Sequence, residues 1–280
     1  GKVVFEDYAD MVRRLDARLK ADNLRDKVQL CVADDGTTPS WLEMSVQALA
    51  DVADRFNSHC YKFSRFSTVS QIRDWNTMLI NSVRKSAPGA LFTYNEIGTN
   101  DFVDSHNNRD IDSFERGLLY GKMATQFLNG GAGGMLQWCL FDQCYNSSKM
   151  MKLGLWKYKD ENFAVRPIYY AWGLLTRYTA VDSDVYEGIV EDNENVGCTS
   201  LKSPDGEWTY LLTNDSDADI TVSIVNPNAA DLSLSRYVYS ASTLPEDDSL
   251  IPADMTAGME GHVLTCTIPA GSFTVLSNRA

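Results

Sequence analysis

The chain has 280 residues, 44% of them hydrophobic and 22% charged, enough apolar content for one large core or two smaller ones. A formal net charge of −13 excludes the clustered cations that nucleic acid or an anionic membrane surface would need, so neither is expected as a partner. No run is long and apolar enough to span a bilayer, and no basic-then-apolar secretion signal is read near Gly1, which leaves the compartment open.

Residues 5–22 place Phe5, Tyr8, Met11, Val12, Leu15 and Leu19 at helical spacing. A buried strand follows over 27–35, KVQLCVADD, ending in Asp34 and Asp35. Ser40 can cap a helix running from about Trp41 to Phe56. The run 58–63, containing His59, Cys60 and Tyr61, reads as a second strand, and 69–83 as a helix with Ile72, Trp75, Leu79 and Val83 on one stripe. Pro88-Gly89 precede a third strand, Ala90 to Glu96, apolar and aromatic-rich, ending on a carboxylate. A helix over 111–128 stops at Gly130, and a fourth strand covers 134–141. A loop of about 24 residues leads to a last helix, 167–178. Four strand–helix alternations predict a parallel sheet over residues 1–180.

Beyond about Val181 the texture changes to short alternating strands, at 208–212, 220–225, 235–239, 263–268 and 272–276. Turn clusters such as Ser203-Pro204-Asp205-Gly206 separate them, the pattern of an antiparallel β-sandwich over 181–280. The six cysteines contain no CxxC pair, so a zinc ribbon is not expected, and three scattered histidines do not make a metal site. Cys31, Cys60 and Cys139 fall in expected strands as small hydrophobes, and buried thiols are favoured over disulfides. Cys139 and Cys144 are the one pair close enough in sequence to check.

A carboxylate at the C-terminal end of a parallel strand sits where active sites of β/α barrels lie, which makes Glu96 the chemical centre. The competing reading is a strand-end ion pair. Strand alternation puts His59 and Tyr61 on one face. Tyr61 can donate to the Glu96 carboxylate and keep it ionised, or be a packed core tyrosine; His59 can bind a sugar hydroxyl or simply pack. Trp138 can stack on a sugar ring or fill the core. Asp34 and Asp35 can bind hydroxyls or supply an acid, against a reading as loop caps; Asn100, Asp101 and Asp142 are subsite candidates that turn chemistry also explains. Trp41, Trp75 and Trp172 read as core, while Trp156 and Tyr158 can wall a subsite.

Taken together, these residues resemble the C-terminal half of a clan A retaining glycoside hydrolase. His59-Cys60-Tyr61 resembles the His-x-Tyr of that clan's sixth barrel strand, and Tyr94-Asn95-Glu96-Ile97-Gly98 its seventh, which bears the nucleophile. Gln137-Trp138 through Asp142 resembles the eighth strand, whose tryptophan floors the sugar site. Arg166-Pro167-Ile168-Tyr169-Tyr170 resembles the closing helix, and Ile268 to Phe273 the last strand of an appended sandwich. Asn95-Glu96 is also the dipeptide of the fourth strand, but only one strand–helix unit follows Glu96, which fits the seventh.

The resemblance implies a partial (β/α)8, TIM-type barrel, strands five to eight, followed by a β-sandwich. It implies hydrolysis of β-linked glycosides or polysaccharides by double displacement, with Glu96 as nucleophile and Tyr61 beside it. The acid/base would be missing from this chain, so the chain alone would be inactive or nearly so. It further implies a carbohydrate substrate, no cofactor, and a secreted or periplasmic bacterial setting. Four parallel strands leave two open edges, so a homodimer or a complementing N-terminal half is expected to cover them. The alternative is a non-catalytic carbohydrate-binding protein or pseudoenzyme, with the sandwich binding glycan or merely packing.

Overall fold

The computed structural model describes residues 4–36, 39–104, 107–146 and 149–279. Its helices and strands begin with α1 (Phe5–Ala21), β1 (Cys31–Asp35), α2 (Pro39–Leu49), β2 (Arg55–Cys60), α3 (Val69–Ser86) and β3 (Leu91–Ile97). Then come β4 (Phe102–Asp104), β5 (Asn107–Asn108), α4 (Phe114–Asn129), β6 (Met135–Gln137), β7 (Gln143–Asn146), β8 (Lys149–Met151) and α5 (Pro167–Tyr178). The remainder is all strand: β9 (Asp184–Glu187), β10 (Val196–Lys202), β11 (Trp208–Asn214), β12 (Ile220–Val225), β13 (Leu232–Tyr239), β14 (Met255–Glu260), β15 (Val263–Ile268) and β16 (Ser272–Ser277). Contacts divide the chain into two compact units. The first comprises Gly1–Lys62, Trp75–Gly98 and Gly131–Trp138; the second comprises Phe63–Asp74, Thr99–Gly130 and Cys139–Ala280.

The first unit is built on a parallel sheet of order β1-β2-β3-β6. Register aligns Val32, Phe56 and Phe92 in one row. This row is buried, and α2 packs on β1 and β2 with Leu42, Val46 and Leu49 inward. Tyr94 continues the row, and its hydroxyl donates to Asn76 Oδ1 at 2.8 Å within the core. The opposite face carries Cys31, Asn57, Thr93, Leu91 and Leu136, as pleat and register require. On this face Leu91 is 51% and Leu136 62% exposed, whereas Asn57 and Thr93 are buried.

Several boundaries differ from expectation. The strand read over 27–35 begins only at Cys31, because Arg25–Lys27 forms a 3₁₀ turn in which Arg25 is tied to Asp16 and Asp54. The helix expected to reach Phe56 ends at Leu49; Phe56 pairs with Phe92 instead, so sheet pairing overrides the helical reading of an apolar run. Ser40 lies inside the first turn of α2 rather than ahead of it. The strand read over 134–141 covers only Met135–Gln137, after which residues 139–142 bond to residues 153–156.

The second unit holds one continuous, curled antiparallel sheet of order β12-β15-β14-β13-β16-β11-β10-β9. The five expected strands are present, and β9, β10 and β14 are additional. Trp208 and Tyr210 lie inside its core with rings nearly parallel at 6.1 Å, so they form packing and not an exposed aromatic row. Helix α4 is buried all round from Arg116 to Leu128. Gly117 and Gly121 leave room there for the rings of Tyr239 and Phe273, which a Cβ at either position would meet. The Tyr239 hydroxyl donates to the Phe114 carbonyl at 2.7 Å. Pro167 opens α5 at a position where its missing N–H costs nothing.

Candidate active site

The site grows from a distortion at the end of β1. Ala33 (φ 94°) and Asp34 (φ 47°) occupy the left-handed region, which L-residues adopt only when their surroundings enforce it. Ala33 N–H donates to the Tyr8 hydroxyl at 3.0 Å, and the Ala33 carbonyl accepts Trp41 Nε1–H at 2.8 Å. The Asp34 N–H donates to Asn57 Oδ1 at 2.7 Å. The register of β1 against β2 slips between Val32 and Asp35, a bulge-like device that re-aims the side chains beyond it. Trp41 is itself clamped edge-on by Phe5, ring centroids 5.2 Å apart.

A second register slip, between Ser58 and His59, sets His59 opposite Glu96 of β3. His59 Nδ1 lies 2.6 Å from Glu96 Oε2, and His59 Nε2 lies 3.0 Å from Asp34 Oδ1. Asn95 Nδ2 also donates to Asp34 Oδ1, while Asn95 Oδ1 is buried with no hydrogen-bond partner among the described residues. Gly36 permits this approach, since a Cβ there would stand 2.9 Å from His59 Cβ. The Glu96 side chain is 17% exposed and that of Asp34 66%. Thus one carboxylate is mostly enclosed and the other faces solvent, with one imidazole between them. A ring bridging two carboxylates donates to both only as imidazolium; as a neutral ring it serves one at a time. The arrangement holds the Glu96 carboxylate through its Oε2 oxygen.

The other expected residues divide by location. Tyr61 lays its ring over Gly98, two residues beyond Glu96. Trp138 is half-buried and its backbone N–H bonds to the Ile97 carbonyl at 3.0 Å. Asp35 is half-buried, and its carbonyl accepts the Ser58 hydroxyl at 2.7 Å. These belong to the first unit with Asp34, His59 and Glu96. In the second unit, Asn100 is exposed with its N–H on the Phe63 carbonyl, and Asp101 accepts the Arg65 N–H at 2.9 Å. Asp142 departs from its expected substrate role. It is fully buried, and Arg166 grips both its oxygens at 2.8 Å while Gly154 N–H donates to one of them. It is a structural anion. Trp156 lines an apolar hollow of about 220 Å³ with Leu140, Phe141 and Phe163. Among the described residues, no group of three His, Cys, Asp or Glu side chains could hold a metal ion.

Sequence reasoning missed four contributors: Tyr8 and Asn57, which fix the bent end of β1, Asn95, and Gly36. Only Asp34-Asp35-Gly36 hinted at a sharp local backbone. The partners themselves lie up to 61 residues apart in the chain.

No protein-family model matches the chain, and no curated protein matches its sequence. Solved structures do match in fold. A GH51 arabinofuranosidase from Xanthomonas axonopodis pv. citri superposes with a TM-score of 0.68 at 15% identity, over 99% of this chain and 63% of its own. The α-L-arabinofuranosidase of Thermotoga maritima gives 0.66 at 15% identity, with 99% and 63% covered. The catalytic domain of GH30 xylanase C from Talaromyces cellulolyticus gives 0.68 at 14% identity, with 99% and 57% covered. These neighbours are glycoside hydrolases of clan A, and the chain shares their fold over somewhat under two thirds of their length.

Proposed function

We propose that this chain is the C-terminal part of a retaining glycoside hydrolase acting on β-linked glycosides or polysaccharides, with residues 1–180 as strands five to eight of a (β/α)8 barrel and 181–280 as the appended domain. The observation that carries the reading is the pairing of Glu96, at the C-terminal end of a parallel strand, with His59 Nδ1 at 2.6 Å. Glu96 attacks the anomeric carbon, and Tyr61, whose ring lies over Gly98, donates to its carboxylate. Trp138 floors the sugar ring. Asp34 and Asp35 contact hydroxyls. A carboxyl from outside these 280 residues protonates the leaving group and later activates water, at the roughly 5–5.5 Å separation that retention requires. The chain alone therefore turns over slowly or not at all.

The test is covalent trapping of the full-length protein with a fluorinated glycoside. Label on Glu96, abolished by Glu96→Gln, supports the proposal. Label on another carboxylate overturns it. A non-catalytic carbohydrate-binding role is the reading left if glycan binding persists unchanged in Glu96→Gln and no label forms.

A further inference from the structure

The bend at the end of β1 moves Asp34 off its regular course. In an unbroken strand Asp34 would continue the row of Val32, the buried row on which α2 packs. Along β2, Asn57 and His59 alternate with Phe56 and Ser58 and so belong to the other row. The two left-handed residues, Ala33 and Asp34, break the alternation, and the Asp34 carboxylate comes to rest on the His59 ring. Backbone of this kind persists only where its surroundings over-determine it, and Tyr8, Trp41 and Asn57 each bond this one. The strain is spent on setting a carboxylate against His59 Nε2.

The proton positions follow from the donors. Asp34 Oδ1 meets two side chains, His59 Nε2 and Asn95 Nδ2. A carboxylate oxygen has two lone pairs, and the Asn95 amide donates into one of them. Turned over, that amide would set oxygen against oxygen. Oδ1 is therefore an acceptor, and the contact at 3.0 Å requires a hydrogen on His59 Nε2. At the other nitrogen, Nδ1, the ring faces Glu96 Oε2 at 2.6 Å. Among the described residues, Asp34 from β1 and Glu96 from β3 are the charged side chains bonded to this ring.

We propose that Asp34 is a positioning residue that keeps His59 doubly protonated, an imidazolium held between two carboxylates, so that its bond to Glu96 is charge-assisted. Such a bond is about twice as strong as a neutral one and favours the ionised form of Glu96. The catalytic consequence rests on the reading of Glu96 as nucleophile; the proton assignment rests on the geometry alone. Asp34 thus acts on Glu96 through His59, a role separate from any sugar hydroxyl that its mostly exposed carboxylate also meets.

The test has two arms built on Asp34→Asn, which removes the charge while asparagine still tolerates the left-handed backbone. In the first, the chain is labelled with ¹⁵N-histidine and needs no substrate. The chain has three histidines, and His59→Gln identifies the signals of His59. Near neutral pH both His59 nitrogens should carry hydrogen in the wild type. In Asp34→Asn the ring should keep a single hydrogen at Nδ1, on Glu96, and lose the one at Nε2. A bare Nε2 in the wild type overturns the proposal, and that spectrum decides alone if Asp34→Asn fails to fold. Unchanged His59 signals in a folded Asp34→Asn overturn it as well. In the second arm, saturation kinetics of trapping by the fluorinated glycoside on the full-length protein separate affinity from maximal rate. The maximal rate at Glu96 should fall at least about tenfold in Asp34→Asn with affinity unchanged. Weakened affinity at an unchanged maximal rate overturns the proposal in favour of a sugar contact alone. Label absent from Glu96 in the wild type sinks the nucleophile reading instead, and the nitrogen signals then decide the Asp34–His59 link by themselves.

Discussion

His59 ties two carboxylates together, because both of its nitrogens are used, at 2.6 Å to Glu96 and 3.0 Å to Asp34. His59→Ala leaves Glu96 without its orienting partner. Under the proposed nucleophile role, the rate of covalent trapping at Glu96, read by mass spectrometry on the full-length protein, should fall about 10²-fold, the usual cost of misplacing a reacting group. The backbone at Asp34 is separable from its charge. Asparagine tolerates a φ of 47° whereas a β-branched residue does not, so Asp34→Val should be about 1–3 kcal/mol less stable than Asp34→Asn in urea denaturation. Thiol reactivity offers a further readout. Burial pushes the Cys60 and Cys198 thiols up to about 12 and that of Cys266 to about 11. Little thiolate is present in any of them near neutral pH. With nothing covering the sheet face that carries it, the exposed Cys31 should therefore be modified by a maleimide at about pH 8 well before these three, which should react only in denaturant.

At the scale of elements, the segment 139–166 is held by Arg166, whose side chain is 1% exposed and bonds Asp142, Asp112 and the Gly154 carbonyl. Burying these charges is tolerable only because each is satisfied. Arg166→Met strands Asp142 and should cost about 3–5 kcal/mol in chemical denaturation. Adding Asp142→Leu should return part of that loss, since it removes the unpaired buried charge. The same pair explains why Asp142, attractive as a strand-end carboxylate in sequence, faces no solvent. An aspartate after a strand is equally suited to a sugar hydroxyl and to an arginine located 24 residues later.

For the whole molecule, the exposed part of one face of the four-stranded parallel sheet carries the largest consequence. Leu91, Leu136 and Cys31 are exposed there, and among the described residues β1 and β6 end the sheet with unpaired edges. A complementing barrel half or a second copy covering this face should protect Cys31 from the maleimide, and light scattering should give a mass above 31.3 kDa. A monomer with fully reactive Cys31 would count against both forms of coverage.

The sequence by itself determined the alternation of strands and helices up to about residue 180, the change to short strands beyond it, and Glu96 at a strand end. Periodicity carries that information, because a core-facing row must repeat every two or 3.6 residues. It read Trp41 as core, whereas the side chain is half-buried against Phe5 and Tyr8 with its indole N–H holding the Ala33 carbonyl. Only the tertiary structure decided the rest. Whether Phe56 ends a helix or opens a strand was settled by its pairing with Phe92. Asp34, His59 and Glu96 meet through two register slips and two left-handed residues, and no local pattern encodes a slip. The eight-stranded order likewise depends on pairings between strands far apart in the chain, which energetics of packing select and local propensity does not.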